Sequence, residues 1–462
     1  MTFIGRIEEM KAFEERANSG KAEFVVVYGR RRIGKTELVR QVVSKHEGLL
    51  LIGREESKKL QLHRFSKDLA DHFGDELLRK QPLDNWDAFF EYLYQKAKDR
   101  PLILALDEFP YMVKEDHSLP SLVQDMWDNK LSRTRLFLVL LGSSISMMSS
   151  LLGAKSPIYG RRTGQFRVQA LPFRDVAGYI GDMARAVELY SVFGGTPAYV
   201  MALDRNKNAL DNAKGLLLRR DSFLYQDVRF VLREEMDEPR YYYSMLEAIA
   251  LGKTSLAEMV DYTGLARSLV GKYLSILIEL DILRRDVPVD SQTTAKKGQY
   301  TFKDNIFSFW FRFIRPYEDL IDMGREKEVS RLIAKDLNSH IGRRFEDICL
   351  EFLWAAKDSQ PSLRFLNLGR WWHHGEEIDI VGLDPESRTA CFFECKWTDL
   401  AKKDAAKVLF DLAGKSRSVS WNKDDRKQQF GVIARSVEGK SELRKGGYLV
   451  FDLDDFKRVL GP

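Results

Sequence analysis

The stretch Gly29-Arg30-Arg31-Arg32-Ile33-Gly34-Lys35-Thr36 lies between the apolar run Phe24-Val25-Val26-Val27-Tyr28 and the helical Glu37-Leu38-Val39-Arg40. A G-x4-G-K-T loop in that setting is a phosphate cradle. Its glycines let backbone N–H groups curl around phosphate oxygens, and the helix N-terminus adds partial positive charge. Gly29, Arg32, Ile33, Gly34 and Glu37 form or flank the loop; Lys35 is expected to reach the β- and γ-phosphates of ATP, and the Thr36 hydroxyl to ligate Mg2+. A strand, such a loop and a helix are the opening of a βαβ unit, so the loop calls for a parallel sheet covered by helices.

A second carboxylate must help hold the metal, and Leu102-Ile103-Leu104-Ala105-Leu106-Asp107-Glu108 supplies it. Asp107 is expected to bind Mg2+ directly or through water, and Glu108 to orient and deprotonate the attacking water. The next apolar run, Leu136 to Leu141, ends in Gly142-Ser143-Ser144, where Ser143 is either a γ-phosphate sensor or part of an ordinary turn.

At 462 residues the chain is too long for one core, and two to four domains are expected. An apolar fraction of 44% excludes global disorder. Lys and Arg (73) nearly cancel Asp and Glu (68), so net charge alone does not announce a nucleic-acid binder. The local balance differs: residues 401–446 carry twelve Lys or Arg against six Asp or Glu. No apolar run has the length of a membrane helix, and the N-terminus lacks the pattern of a signal peptide. Cys349, Cys391 and Cys395 form no CxxC pair, which fits a reducing cytoplasm and no membrane partner.

Phe3-Ile4-Gly5-Arg6, GRRRIGKT, LALDEF, LLGSS, Tyr159-Gly160-Arg161-Arg162 and Gly194-Gly195-Thr196-Pro197 occur in the order seen in archaeal-type ATPases. The first 235 or so residues thus resemble the STAND branch of the AAA+ P-loop fold. The resemblance implies that Ile4, Gly5 and Arg6 pack against adenine and that Ser143 takes the sensor position. It also implies that Pro197 belongs to the lid motif that touches nucleotide. Arg161 or Arg162 would serve as an arginine finger, in cis or from a neighbouring copy; the alternative is a solvated basic loop.

From about Asp175 to Leu283 a 3.6-residue periodicity replaces the strand pattern. Tyr241 to Arg285 reads as three helices: Ser255-Leu256-Ala257-Glu258 is a capping box, Thr263-Gly264 a tight turn, and Ala266 the start of the third. Val270, Leu274 and Leu277 share one face of that third helix, leaving Arg267, Ser268 and Lys272 pointing outward. With a turn at Lys296-Lys297-Gly298 as the wing, this resembles a winged helix-turn-helix domain, which either contacts DNA or packs on the nucleotide module.

Gly342-Arg343-Arg344-Phe345-Glu346 is expected to open an amphipathic helix. Glu377 to Gly382 and Phe392 to Trp397 read as strands; Glu394 and Lys396 share a face, and in a hairpin Asp379 lies opposite Glu394. Asp379, Glu394 and the Cys395 carbonyl make a hard-oxygen site for Mg2+ or Mn2+, with Glu346 as a third acid. Lys396 would stabilise or deprotonate a metal-bound water. The Asp379, Glu394-Cys395-Lys396 pattern resembles the PD-(D/E)xK nuclease core, with Ile378 where that family usually has proline. Residues 305–462 also resemble the domain often fused to archaeal-type ATPases. Trp371-Trp372-His373-His374 either stack on bases or are plain strand and loop aromatics.

The expected architecture is multidomain α/β. It comprises a P-loop core (1–170), a helical lid (171–235), a winged helix-turn-helix (236–300), a linker segment (301–340) and a restriction-endonuclease-like domain (341–462). The expected activity is ATP hydrolysis coupled to nucleic-acid binding and a nuclease-like C-terminus. The alternative is an ATP-dependent switch that binds DNA or a protein partner, alone or as a homo-oligomer, without cutting.

Overall fold

The apolar runs that precede the two phosphate-site motifs are strands: β1 (Glu23–Tyr28) leads into the loop, and a second strand, β2 (Gly48–Ile52), follows its helix Lys35–Val43. The strand β3 (Leu102–Asp107) ends in the acids, β4 (Leu136–Gly142) ends beside Ser143, and β5 (Gly164–Arg167) closes the set. All pair in parallel, in the order β2-β3-β4-β1-β5. Val25 and Val27 join Phe13, Leu38 and Val139 in one core cluster, while Phe24 and Val26 join Leu104, Leu138 and Trp127 in another. A sheet covered on both faces needs apolar residues at every position, which is why its central strands read as continuous runs. The edge strands β2 and β5 are half-buried, and β5 has no such run.

This computed structural model describes residues 3–236, 238–291 and 298–461. The chain divides into two units, Met1–Ala170 and Leu171–Pro462. The division coincides with the expected limit of the P-loop core; the remaining expected segments all fall within the second unit.

That unit begins with five helices between Phe173 and Glu235. Three more follow, Pro239–Ala250, Leu256–Thr263 and Arg267–Glu279, and then an antiparallel ribbon of β6 (Leu283–Asp286) and β7 (Gln299–Phe302). Ser255 and Glu258 form the reciprocal capping box, Gly264 turns with φ +67°, and Val270, Leu274 and Leu277 are buried while Arg267, Ser268 and Lys272 are exposed. The turn expected at Lys296 and Lys297 lies outside the described residues.

A single helix, Glu326–Lys357, then carries the chain past Gly342, where a helix was expected to begin. Val329, Ile333, Ile341, Phe345, Ile348 and Phe352 keep one buried face running through it, so the limit expected at 340/341 falls inside an unbroken element. The last strands are β8 (Asn367–His373), β9 (Glu376–Asp384), β10 (Thr389–Leu400), β11 (Lys427–Val437) and β12 (Leu449–Phe451), in the order β12-β11-β10-β9-β8. This second sheet is mixed: β8–β9 and β9–β10 are antiparallel, β10–β11 and β11–β12 parallel. Side chains alternate along β10. Trp397 meets Phe345 of the long helix at 5.2 Å between ring centres, while Glu394 reaches Lys415 at the end of helix Lys402–Lys415.

Candidate functional sites

The loop after β1 is drawn into a cup by residues with positive φ: Gly29 (153°), Arg32 (65°) and Gly34 (90°). At Gly29 a Cβ would lie 2.3 Å from the Val168 carbonyl oxygen, so no larger residue fits. The buried Lys35 ammonium donates to the carbonyls of Gly29 and Arg30 at 2.8 and 2.9 Å, folded back along the loop. Arg6 braces the loop from behind, donating to Ile33 O at 3.0 Å and to Gln169 O, with Glu9 at 2.9 Å. Its neighbours Ile4 and Gly5 are half-buried.

The end of β3 brings the two acids to the same place. Thr36 Oγ1 donates to Asp107 Oδ2 at 2.6 Å, and the Glu108 N–H donates to Asp107 Oδ1 at 2.9 Å. Burial raises the Asp107 carboxyl above its ordinary range, against the lowering effect of the Thr36 hydrogen bond. Glu108 adopts the left-handed conformation (φ 52°) at the start of helix Phe109–Glu115. That costs a non-glycine residue of order 1–3 kcal/mol and turns its side chain toward the end of β4. There Ser143 grips both carboxylate oxygens, Oγ at 2.6 Å and N–H at 3.3 Å.

Two expected participants are engaged elsewhere. Glu37 is held on its own helix by Arg40 (2.7 Å) and Gln41 (2.7 Å). Arg161 pairs with Asp128 at 3.0 Å and donates to the Pro157 and Tyr159 carbonyls, so its guanidinium is anchored locally. Pro197 opens helix Pro197–Ala202 in the second unit. Two residues earlier in that motif, Gly195 faces a close contact, because a Cβ there would sit 1.9 Å from Leu171 O. Tyr111, which accepts the Arg31 guanidinium's hydrogen bond at 2.6 Å, was not foreseen.

In the second sheet, Phe393 pairs with Ile380, so the next cross-strand positions are Glu394 and Asp379. Asp379 Oδ2 accepts from the Cys395 N–H at 2.7 Å, and Lys396 lies 3.5 Å from Asp379 and 2.6 Å from Glu394. Burial and the neighbouring Glu394 push the Asp379 carboxyl up to about 6. Burial also works against charge on Glu394, but Lys396 and Lys415 outweigh it and hold that carboxyl below its ordinary range. Lys396 in turn is raised by both acids against the effect of its burial, which favours its ammonium form. Lys415, 2.8 Å from Glu394, was counted in the sequence only as part of a basic surplus.

Glu346 does not complete a triad. Burial raises its carboxyl to about 7, and it is taken by Arg370 at 2.9 Å. Arg370 also holds Asp347 (2.9 Å), which Arg284 of β6 reaches at 2.6 Å. Among the described residues no three His, Cys, Asp or Glu side chains converge as they would around a metal ion. Asp379 and Glu394 meet as expected, with Lys396 against both, while Arg370 holds Glu346. The Cys395 thiol packs against Cys349 on the face opposite Glu394.

The parallel sheet with its phosphate loop and strand-end acids defines a P-loop ATPase. Residues 3–203 match the family described as an ATPase domain predominantly from Archaea, and residues 310–408 match one described as archaeal and bacterial proteins of unknown function. A relative from Methanocaldococcus jannaschii, Uncharacterized protein MJECL04, is 36% identical over 98% of this chain and 100% of its own length. The chain belongs to this family of archaeal ATPases, in which the ATPase domain is joined to that C-terminal domain. Among solved structures, the Walker-type ATPase PABY2304 of Pyrococcus abyssi is similar with a TM-score of 0.47 and 19% identity, over 67% of this chain and 96% of that one. The ORC2 protein of Aeropyrum pernix in ADPNP–ADP complexes has a TM-score of 0.43 and 16% identity, over 69% and 94%. No helix among the described residues is long and apolar enough to cross a membrane.

Proposed function

We propose that ATP hydrolysis in the first unit drives work on nucleic acid in the second, where Asp379, Glu394 and Lys396 form a phosphodiester-cleaving site. The observation that carries this reading is the meeting of two carboxylates and a lysine across adjacent strands, with the Lys396 ammonium 3.5 Å from Asp379 and 2.6 Å from Glu394. In the ATPase, Lys35 would neutralise the β- and γ-phosphates, Thr36 and Asp107 would hold Mg2+, and Glu108, aimed by Ser143, would orient the attacking water. In the second site Asp379, Glu394 and the Cys395 carbonyl offer the hard oxygens suited to Mg2+ or Mn2+, which would supply Lewis-acid charge when bound. Lys396, fixed as a cation, would stabilise negative charge developing on the phosphate. The order of three helices and a ribbon between Pro239 and Phe302 supports reading this segment as a winged helix-turn-helix, in which the exposed Arg267, Ser268 and Lys272 would meet a DNA groove and its phosphates.

A second reading is an ATP-dependent switch that binds DNA or a protein partner without cutting. It is favoured by Lys396 and Lys415, which occupy Glu394 from both sides. ATP turnover should fall at least about a hundredfold in Lys35→Ala and Glu108→Gln. Plasmid, linear and single-stranded DNA incubated with Mg2+ or Mn2+ should be cut by the native chain and spared by Asp379→Ala. Cleavage that persists in that variant would refute the nuclease reading, and intact DNA with native protein would leave the switch.

A further inference from the structure

Asp379 and Glu346 line a cavity of about 360 Å3 that the ribbon also lines, through Gln299 and Thr301. Arg343 and Trp372 also line it. We infer that this cavity admits one unpaired nucleic-acid strand and brings it to Asp379, the member of the Asp379–Glu394 pair that lines it, so that the site acts on single-stranded tails or ends and not within an intact duplex. The inference rests on the reading of Asp379 and Glu394 as a phosphate-handling pair and narrows its substrate.

Space comes first. The volume is at the low end of small-molecule sites, roughly 300–1,000 Å3, and suits a nucleotide unit without a base-paired partner. Depth is the second restriction: the side chains of Asp379 and Glu394 are only 14% and 6% exposed, so the phosphate must come to them. A paired strand carries its complement behind every phosphate, whereas an unpaired one bends into a recess.

The ribbon is also fixed in place. Arg284 of β6 binds Asp347 of the long helix at 2.6 Å, Arg370 of β8 binds the same carboxylate at 2.9 Å, and Arg344 donates to Phe302 O at 3.0 Å. Asp347 is held far below the ordinary carboxylate range by Arg284, Arg370 and Arg344, against the effect of its burial. Separating buried pairs of this kind leaves uncompensated charge, so the wall does not lift to let a duplex in.

The remaining lining suits a strand. Arg343 is exposed and makes no ion pair with a described residue, which leaves it available to a phosphate. Arg344 lines the same cavity, and its Nε is a buried donor without a hydrogen-bond partner. Trp372 is half-buried and offers a ring on which a base of any identity can stack.

The test is fluorescence anisotropy on the full chain carrying Asp379→Asn, which preserves the cavity and removes cutting. Its probes are a blunt DNA hairpin and the same hairpin with an unpaired tail of about ten nucleotides. The tail should tighten binding at least about fivefold, and adding Arg343→Ala and Trp372→Ala should erase that gain while blunt-hairpin affinity stays within about twofold. Arg343→Lys should keep most of the gain, since a point charge still meets phosphate. A tail that adds nothing, or a gain that survives both rim substitutions, overturns the inference. Native protein with Mg2+ separates the two levels: tails bound through the rim but never cut sustain the strand site and end the nuclease reading, while equal cutting of blunt and tailed hairpins does the reverse.

Discussion

Ser143 and His340 show what single side chains decide here. Ser143 spends both its hydroxyl and its N–H on Glu108, so the acid proposed to handle the attacking water has a fixed direction. Ser143→Ala should lower kcat about tenfold with KM nearly unchanged, because the loss falls on positioning and not on nucleotide binding; steady-state ATPase kinetics will show the split. His340, 2% exposed, donates to Ser191 O at 3.0 Å, and burial brings its pKa from 6.5 down to about 3. The folded chain therefore refuses a proton that the unfolded chain accepts once pH falls below 6.5. Its contribution is present above 6.5 and lost toward 3, about 2 kcal/mol of it by pH 5. Denaturant titrations at pH 7 and pH 5 should show that slope in the native chain and a flatter one in His340→Phe. The residues of the phosphate loop were legible because strand, loop and helix are local in sequence. Arg370 and Lys415 were not, since a long side chain's partner is set by tertiary packing and leaves no spacing to read.

At the scale of elements, glycines separate packing from ligand chemistry. Gly195 resembled part of a nucleotide-touching motif, yet its backbone lies so close to Leu171 that a Cβ would stand 1.9 Å from the carbonyl oxygen. Gly195→Ala should destabilise the second unit by about 2 kcal/mol or more in calorimetry. Gly271, inside helix Arg267–Glu279 with nothing within 4 Å of an added Cβ, should be improved by alanine by about 0.5–1 kcal/mol. The central strands and the three-helix segment were readable from periodicity and capping, because each signal lies within one element. The long helix was read as starting too late. Its first turns, around Glu326 to Arg331, are rich in charge, and the buried face that continues through them is sparse.

For the whole molecule, the ion pairs around Asp347 join ribbon, long helix and second sheet. Arg370→Ala should cost about 3 kcal/mol in the unfolding of the second unit, since it takes the ion-pair partner from Glu346 while Asp347 keeps Arg284. ATP turnover in the first unit should be far less affected, and parallel calorimetry and ATPase assays will distinguish the two outcomes. The order of segments was legible from the sequence; that several expected domains merge into one unit was not, because it depends on contacts between residues far apart in the chain.

The helix Glu326–Lys357 fastens to the helices that begin the second unit at two points. His340 bonds Ser191 O, and Glu351 receives the N–H groups of Phe173 and Arg174 at 2.9 and 2.8 Å. Glu346 stands between those two anchors on the same rod. Whatever shifts the helices after Leu171 therefore carries that carboxylate along, because the rod between the two anchors has no joint of its own.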